Sequence, residues 1–295
     1  MGTTARVMVA IEAGSVDAAE LLDRGQQHVA LLEDLWSRFV PTSEISRLNR
    51  ARGRAVRVSP ETRLLVRRAI EAWKRTAGRF DPTVYEALVA AGYDRTFDRI
   101  AVAAEASEQV QPAPGCAGIT VDDDQETVTL PRGCGFDPGG IGKGLAADLV
   151  VDGLLAAGAT GACVELGGDV RVRGCAPEAS GWVVGIADPR RPGVPVTSVW
   201  LDDGGVASSS ALQRSWTTAA GRAHHIIDPA SGGPAATPIV GACVVAATAT
   251  QAEIYATAAC AGMPQSEIER AGVSGVTFDD QGAMTPFGEF EAFSA

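Results

Sequence analysis

The chain has 295 residues, of which 46% are hydrophobic and 21% are charged, as in globular proteins that bury a sizeable core. Its net charge of -11 argues against a nucleic-acid partner, because little basic surface remains to neutralise a long polyanion. The six cysteines show neither C-x-x-C pairs nor the density of a disulfide framework, which indicates buried thiols in a reducing compartment.

The first half of the chain is predicted to form helices. Apolar residues recur at helical spacing from Val16 to Trp36, and Thr42 or Ser43 can cap a short helix that follows. A further helix is predicted to begin at Ser59-Pro60 and to run to about Thr76. The segment 105–117 shows little periodicity and is predicted to be a connector, which would divide the domain into two lobes.

The second half of the chain alternates strand-like runs with glycine-rich turns. A hairpin is predicted from 119–121 and 127–130, and further strands at 162–166, 170–173, 182–186 and 239–246. A final helix is predicted from Thr250 to Ala261, ended by Gly262 and Pro264. Strands and helices mix without a regular alternation. The prediction is therefore an α+β fold with mixed sheets and flanking helices, in a single domain spanning 1–295.

The most informative segment is 137–144, Asp-Pro-Gly-Gly-Ile-Gly-Lys-Gly, which leads into an Ala/Leu-rich helix. Its glycines permit close approach to a ligand and positive φ, and the helix N-terminus is expected to face an anion such as phosphate. Lys143 would add a positive charge there and Asp137 an acceptor. The segment is no P-loop, because Gly144 replaces the hydroxyl residue, and no Rossmann fingerprint, because Leu145 replaces the third glycine. It predicts another kind of nucleotide site, with a ligand-free turn as the alternative.

Two adjacent histidines, His224 and His225, precede an apolar pair, Asp228-Pro and a glycine turn. This pattern places an imidazole at the end of a strand, where it suits a general base near neutral pH whose tautomer is set by Asp228. A metal held by both rings is disfavoured because neighbours on a strand point to opposite faces. A structural or exposed histidine remains the alternative.

Glu253 and Thr257 lie four residues apart on the last predicted helix and therefore on one face. A carboxylate and a hydroxyl are hard oxygen ligands suited to Mg²⁺, completed by backbone carbonyls, water and a substrate phosphate. A solvent-facing acid is the alternative. Glu253 follows the uncharged run 229–252, however, and is expected to have apolar surroundings.

Two loops carry residues suited to ligand contact. In the loop 77–84, Phe80 offers an aromatic ring that could stack on adenine or isoalloxazine, and Asp81 offers an acceptor. In the loop 165–169, two glycines lie between the carboxylates of Glu165 and Asp169. Structural turns are the alternative for both.

Together these segments resemble the ApbE family, the FAD:protein FMN transferases. The matching stretches run in order along nearly the whole chain: 1–3, 41–49, 78–84, 137–144, 166–170, 225–229 and 252–258. The resemblance implies an Mg²⁺-dependent enzyme that transfers the FMN moiety of FAD to a Thr or Ser hydroxyl of an acceptor protein. The product would be a phosphoester, and AMP would be released.

The resemblance also implies roles for individual residues. His225 would be the base that takes the acceptor hydroxyl's proton, and Glu253, Thr257 and the backbone carbonyl of Gly140 would hold the metal. The residues implied to contact FAD are Met1, Phe39, Arg79, Phe80, Asp81, Asp137, Lys143 and Ile226. The acceptor would be a flavoprotein that carries a Thr/Ser flavinylation motif.

The chain departs from the family pattern at several positions. Glu253 replaces the metal-binding Asp, Phe39 replaces a Tyr, and the stretch 207–211 lacks the family's carboxylate. The first residues show no export signal, so a cytoplasmic protein without membrane insertion is expected. The alternatives are an FAD-binding protein without transfer, an FAD pyrophosphatase that yields FMN and AMP, and a nucleotide-phosphate kinase. The kinase is disfavoured because no hydroxyl residue follows Lys143.

Overall fold

The computed structural model describes residues 3–100, 103–104, 111–177, 181–218 and 221–294. The strands are β1 (Ala5–Ala10), β2 (Val56–Arg57), β3 (Ala103–Ala104), β4 (Thr120–Asp122), β5 (Thr127–Thr129), β6 (Gly161–Leu166), β7 (Asp169–Gly174), β8 (Trp182–Ala187), β9 (Pro195–Leu201), β10 (Asp203–Ser210), β11 (Ser215–Thr218), β12 (Gly221–His224), β13 (Ile239–Ala246), β14 (Ser274–Asp279) and β15 (Met284–Phe287). The helices are α1 (Ala18–Trp36), α2 (Glu44–Arg50), α3 (Pro60–Arg75), α4 (Tyr85–Ala90), α5 (Gly142–Ala156), α6 (Ala249–Cys260), α7 (Gln265–Arg270) and α8 (Phe290–Phe293), with 3₁₀ turns at Pro82–Val84 and Phe97–Arg99.

A seven-stranded antiparallel sheet, in the order β1-β6-β7-β10-β13-β14-β15, organises the fold. Side chains along β13 alternate between its two faces: Val244 packs in the core formed with α1, α5 and α6, and Val245 packs against β8, β9 and α8. Because both faces are covered, β13 is apolar along its whole length, which explains the uncharged run in the sequence.

In the described part of the chain, three smaller sheets accompany the large one: β12-β11-β3, β2-β5-β4 and the hairpin β8-β9. The strands β11 and β12 pack against α4 through a separate apolar cluster that includes Leu88, Tyr93, Trp216 and Ile227. This cluster fixes the end of β12, so that His225, the next residue, is held against the rest of the molecule.

Close packing of α5 against α6 brings the glycine-rich segment to the site. A Cβ on Gly144 would lie 2.3 Å from the carbonyl oxygen of Ala249, so only glycine allows this approach. From α5, Asp148 accepts the backbone N–H groups of Ala249 and Thr250, at 2.9 and 3.0 Å. These bonds satisfy orphan donors at the start of α6 and fix the two helices relative to each other.

The α+β prediction is confirmed, and the helices α1, α3 and α6 lie within a few residues of their predicted bounds. Ser43, one of the two proposed caps, accepts the Ser46 N–H at the start of α2. The prediction that the helix ending near Ala261 is the last one is wrong, because α7 and α8 follow. Of the predicted connector, 105–110 lies outside the described residues, and 111–117 forms neither helix nor strand.

Five of the six cysteines are buried and free, as predicted for thiols in the core, whereas Cys175 is exposed. Burial raises the pKa of the Cys163 thiol to about 12, so this group stays protonated. Within the residues that the structure describes, no helix combines the length and the apolar character needed to cross a bilayer.

Candidate active site

One cleft collects the candidate residues from distant parts of the chain. Every described residue to which the family resemblance assigned a role lines this cleft: Phe39, Arg79, Phe80, Asp81, Asp137, Gly140, Lys143, His225, Ile226, Glu253 and Thr257. Met1, the remaining candidate, lies outside the described residues. The shared location fits a single site, and the role of each residue stays a prediction.

Three charged side chains form a buried ion cluster beside the cleft: Lys143, Asp169 and Glu253. The Lys143 ammonium contacts Asp169 Oδ2 and lies 3.4 Å from Glu253 Oε1. The side chains of Asp169 and Glu253 are 0% and 2% exposed. Burial of Glu253 agrees with its expected apolar surroundings and excludes the solvent-facing alternative.

The ion cluster changes the interpretation of the helix N-terminus. Glu253 Oε2 accepts the backbone N–H of Gly144, at 2.8 Å, in the first turn of α5. The expectation that this end of the helix faces an external phosphate is therefore wrong for this amide, because the protein's own carboxylate occupies it. Likewise, Lys143 is not a free point charge, because two carboxylates surround it.

The ion cluster contains two acidic groups and one basic group. Burial raises the pKa of Glu253; Lys143 opposes this and Asp169 adds to it. For Lys143, burial alone would lower the pKa, but Asp169 and Glu253 outweigh it and raise the pKa. One ammonium thus serves two carboxyl groups, and the buried oxygens Asp169 Oδ1 and Glu253 Oε1 have no hydrogen-bond partner. A proton held by Glu253 or a bound cation would satisfy them.

The oxygen atoms beside the ion cluster fit a hard divalent cation. Thr257 lies one turn beyond Glu253 on α6, and its hydroxyl is 3.2 Å from Ser209 Oγ. A Cβ on Gly140 would lie 3.0 Å from Thr257 Oγ1, so the Gly140 backbone passes directly beside this hydroxyl. The described residues contain no group of three or more His, Cys, Asp or Glu side chains arranged for a metal. A metal here would depend on the mixed carboxylate, hydroxyl and carbonyl donors that suit Mg²⁺.

A tight hairpin turn positions Asp169. Residues Gly167 and Gly168 have φ of 61° and 93° and join β6 to β7 with Leu166 paired to Asp169. Two consecutive positive φ values match a two-residue type I′ turn. The four glycines of 139–144, by contrast, are not among the residues with positive φ, contrary to the prediction from the sequence. These glycines instead matter because they lack a Cβ, which at Gly140 leaves room for Thr257 and at Gly144 for the backbone of Ala249.

His225 also lines the cleft, directly after β12, and presents a neutral ring. Its Nδ1 lies 3.4 Å from the carbonyl oxygen of Arg214. Because a carbonyl only accepts, this contact assigns the proton to Nδ1 and leaves Nε2 as an acceptor. Burial lowers the pKa of His225 to about 3, and the charge of Arg214 adds to the shift. The proposed role of Asp228 in setting the tautomer is wrong, because its carboxylate instead accepts the Ala230 N–H.

Arg38 also lines the cleft and was missed in the sequence. Its Nε lies 2.7 Å from Asp137 Oδ2, and its guanidinium carbon is 4.3 and 4.4 Å from the ring centres of Phe39 and Tyr93. Asp137 also accepts the Gly139 N–H, at 2.6 Å, and so shapes the glycine-rich segment. The only local signal for Arg38 was its position beside Phe39, since its partners come from distant segments.

The loop 77–84 contributes differently from the prediction. Phe80 lines the cleft but is only 2% exposed and packs in the main core, so little of its ring is accessible for stacking on a ligand. Asp81 accepts from the N–H and the hydroxyl of Thr83 and caps the 3₁₀ turn. Phe39, which is partly exposed and lines the cleft, is the aromatic ring available for stacking.

Comparison with known proteins points to one family. The model of the ApbE family matches residues 1–272 of the chain. A protein of Treponema pallidum named FAD:protein FMN transferase is 29% identical over 276 residues, which cover 88% of this chain and 75% of that protein. A protein of Haemophilus influenzae with the same name is 27% identical over 274 residues, covering 86% and 76%.

Solved structures give the same result. The crystal structure of the ApbE protein of Thermotoga maritima superposes with a TM-score of 0.87 at 27% identity, covering 100% of this chain and 96% of the other. The apo form of the Pseudomonas stutzeri flavinyl transferase ApbE superposes with a TM-score of 0.82 at 24% identity, covering 99% and 94%. The second likeness shows the fold alone.

Proposed function

The chain belongs to the ApbE family, and we propose that it transfers the FMN moiety of FAD to a Thr or Ser hydroxyl of an acceptor protein and releases AMP. The observation that carries this proposal is one cleft lined both by His225, whose imidazole is neutral, and by Lys143 and Glu253 of the ion cluster, where two buried carboxyl oxygens have no hydrogen-bond partner. The name of the relatives from Treponema pallidum and Haemophilus influenzae supports FAD as the flavin donor.

Mg²⁺ fits the oxygen atoms that lie beside the ion cluster. Glu253 Oε1, Thr257 Oγ1 and the backbone carbonyl of Gly140 would hold the ion. When bound, it would neutralise the pyrophosphate of FAD and make phosphorus more electrophilic. Because Glu253 Oε2 accepts the Gly144 N–H, the other carboxylate oxygen, Oε1, is left for a cation. Asp169 holds the Lys143 ammonium, which keeps positive charge beside the developing negative charge.

His225 supplies the proton acceptor. In the proposed step, Nε2 takes the proton of the acceptor hydroxyl while that oxygen forms a bond to the FMN phosphorus. The bond from this phosphorus to the bridging oxygen breaks, and AMP leaves with the electron pair. The low pKa of His225 keeps the ring neutral before reaction. The negative phosphates of bound FAD would raise this pKa and favour the proton transfer.

The remaining candidates are proposed to bind FAD. Phe39, whose ring lies against the Arg38 guanidinium, would stack on a flat ring of the cofactor. Arg79 is exposed at the cleft and pairs with no carboxylate of the described residues, so its charge is available to the ligand. The hydroxyls of Ser208–Ser210 line the cleft where the family's carboxylate is missing.

The test is a transfer assay on the purified chain with FAD, Mg²⁺ and an acceptor that carries an Asp-Ser/Thr-x-x-Ser/Ala-Ser/Thr segment. Intact mass spectrometry should detect an FMN-sized increase on the acceptor, and EDTA should abolish it. Release of FMN and AMP without an adduct would instead indicate an FAD pyrophosphatase. Tight FAD binding without turnover would indicate an FAD-binding protein. Either result would contradict the proposal.

A further inference from the structure

A second concave surface adjoins the active cleft and is dominated by arginines. We call it the basic groove; its charged lining residues are Arg38, Arg50, Arg52, Arg54, Glu86 and Arg132. Among the residues that the structure describes, Arg50, Arg52, Arg54 and Arg132 form no ion pair with a carboxylate. In a chain of net charge -11, such a concentration of unpaired positive charge calls for a partner of opposite charge.

The backbone at the end of α2 creates the basic groove. Arg50 ends α2, and the chain then turns through Arg52 and Gly53, which have φ of 51° and 88°. A Cβ on Gly53 would lie 2.9 Å from Cγ of Arg132, so the aliphatic part of Arg132 lies directly on this turn. The turn therefore joins arginines from two separate segments, and all of them are exposed.

Arg38 connects the basic groove to the active cleft, because it lines both. Its side chain is 5% exposed, with Nε paired to Asp137 and Nη1 donating to the Tyr93 carbonyl. Its Nη2, like Asp137 Oδ2 of the same ion pair, is buried without a hydrogen-bond partner. Arg38 therefore links the lining of the basic groove to that of the active cleft, whereas the exposed arginines carry the charge that a partner could reach.

The position of the basic groove separates its ligand from FAD. The anionic group of FAD is its pyrophosphate, which in the proposed function lies beside Glu253 and Thr257. Those residues line the active cleft and not the basic groove. The reactant left for the groove is the acceptor protein, whose carboxylate side chains match arginine forks in charge and geometry.

We propose that the basic groove docks an acidic segment of the acceptor protein and so brings the acceptor hydroxyl to the active cleft. The proposal rests on the proposed function, because it identifies the groove's ligand as the second substrate. Exposed arginines that meet carboxylates accelerate encounter and fix orientation, and salt weakens their effect.

The test measures binding without turnover. Two fluorescein-labelled peptides are compared, one with a Thr flanked by four Glu residues and one with four Gln residues in their place. Fluorescence anisotropy is read on the full chain at low salt without FAD or metal. The Glu peptide should bind more tightly than the Gln peptide. Its dissociation constant should rise roughly tenfold in Arg52→Glu/Arg132→Glu, because two favourable contacts become repulsive.

The matched control is Arg191→Glu, an exposed arginine outside both surfaces, which should leave binding unchanged. Arg52→Lys/Arg132→Lys, which keeps the charge, should retain most of the affinity. Equal affinity for the two peptides, or an equal loss in Arg191→Glu, would overturn the proposal. Displacement of the Glu peptide by micromolar inorganic pyrophosphate would also overturn it, since the groove would then be a small-anion site.

The transfer assay separates this proposal from the proposed function. If no variant and no acceptor yields an FMN adduct while the Glu peptide still binds at the groove, the proposed function fails and the acidic-docking surface stands. If the wild type transfers FMN and the Arg52→Glu/Arg132→Glu variant keeps the same KM for an acidic acceptor, the docking proposal fails alone.

Discussion

The ion cluster and His225 hold buried ionisable groups among different neighbouring charges. Burial acts on both, because it raises the pKa of Glu253 and lowers the pKa of His225. In the ion cluster, Asp169 and Glu253 share the ammonium of Lys143, which opposes the effect of burial on Glu253. The charged neighbours of His225 are the positive Arg214 and Lys143, which add to the effect of burial, and its pKa falls to about 3. The sign of the neighbouring charge therefore decides whether it opposes or reinforces the neutral form that burial favours.

The largest expected effect comes from removing the proton acceptor. His225→Ala should slow FMN transfer by about 10²–10⁴-fold, the range for a positioned general base, while FAD affinity stays nearly unchanged. Intact mass over time gives the rate, and flavin fluorescence gives the affinity. His224→Ala is the matched control, since its ring does not line the cleft. A parallel loss of FAD binding in His225→Ala would make this residue a ligand contact instead.

Breaking the ion cluster should cost stability. Lys143→Met leaves two buried carboxyl groups, Asp169 and Glu253, without a counter-ion, and the free energy of unfolding should fall by about 3 kcal/mol in urea. The control is Asp152→Asn, which breaks an exposed pair with Arg173 and should cost less than about 1 kcal/mol. Equal losses in the two variants would mean that the cluster is not a site of buried, coupled charge.

Glu253→Gln tests whether the proposed metal site beside the ion cluster binds a cation. Removing the carboxylate should weaken Mn²⁺ binding by about tenfold or more, because a neutral amide is a poorer ligand for a hard cation. Electron paramagnetic resonance of free Mn²⁺ measures this without FAD or turnover. Glu253→Asp keeps the charge and should bind better than Glu253→Gln. Unchanged Mn²⁺ affinity and Mg²⁺ requirement in Glu253→Gln would remove Glu253 from the metal site.

The smallest expected effect is that the imidazole of His225 does not change its protonation state near neutral pH. Histidine-labelled NMR from pH 8 to 5 should show no midpoint near 6.5 for His225, because its pKa lies near 3 in the folded chain. Below pH 6.5 the unfolded chain binds more protons at this residue, so stability should fall as pH drops from 6.5 toward 3. A midpoint near 6.5, assigned by its loss in His225→Ala, would show a solvated ring.

The sequence predicted those features of the fold and of the site that depend on a single short segment. The spacing of Glu253 and Thr257 placed both on one face of α6, and the pattern after His225 placed this residue at a strand end. The strand β13 was evident because burial on both faces removes every charge. These features depend on a helical or strand period and on a chemical type, both of which a short window contains.

Features that join distant segments could not be predicted. The contact of Lys143 with Asp169, and the capping of Gly144 by Glu253, depend on the packing of α5 against β7 and α6. Strand β1 was missed because its pairing partner, β6, lies far along the chain. The arginines at 50, 52 and 54 are evident in the sequence. That they line the basic groove together with Arg132 depends on the packing of Arg132 against the turn at Gly53.

The central claim is that one cleft holds both the metal site at Glu253 and Thr257 and the proton acceptor His225. Its most direct test is a crystal structure of the His225→Ala variant with FAD and Mn²⁺, recorded at a wavelength that gives anomalous scattering from manganese. The variant should prevent turnover and keep FAD intact. The account predicts an anomalous peak in ligand contact with Glu253, Thr257 and the FAD pyrophosphate, with the emptied position of residue 225 facing the FMN phosphorus. Manganese away from Glu253, or a pyrophosphate seated in the basic groove, would contradict it.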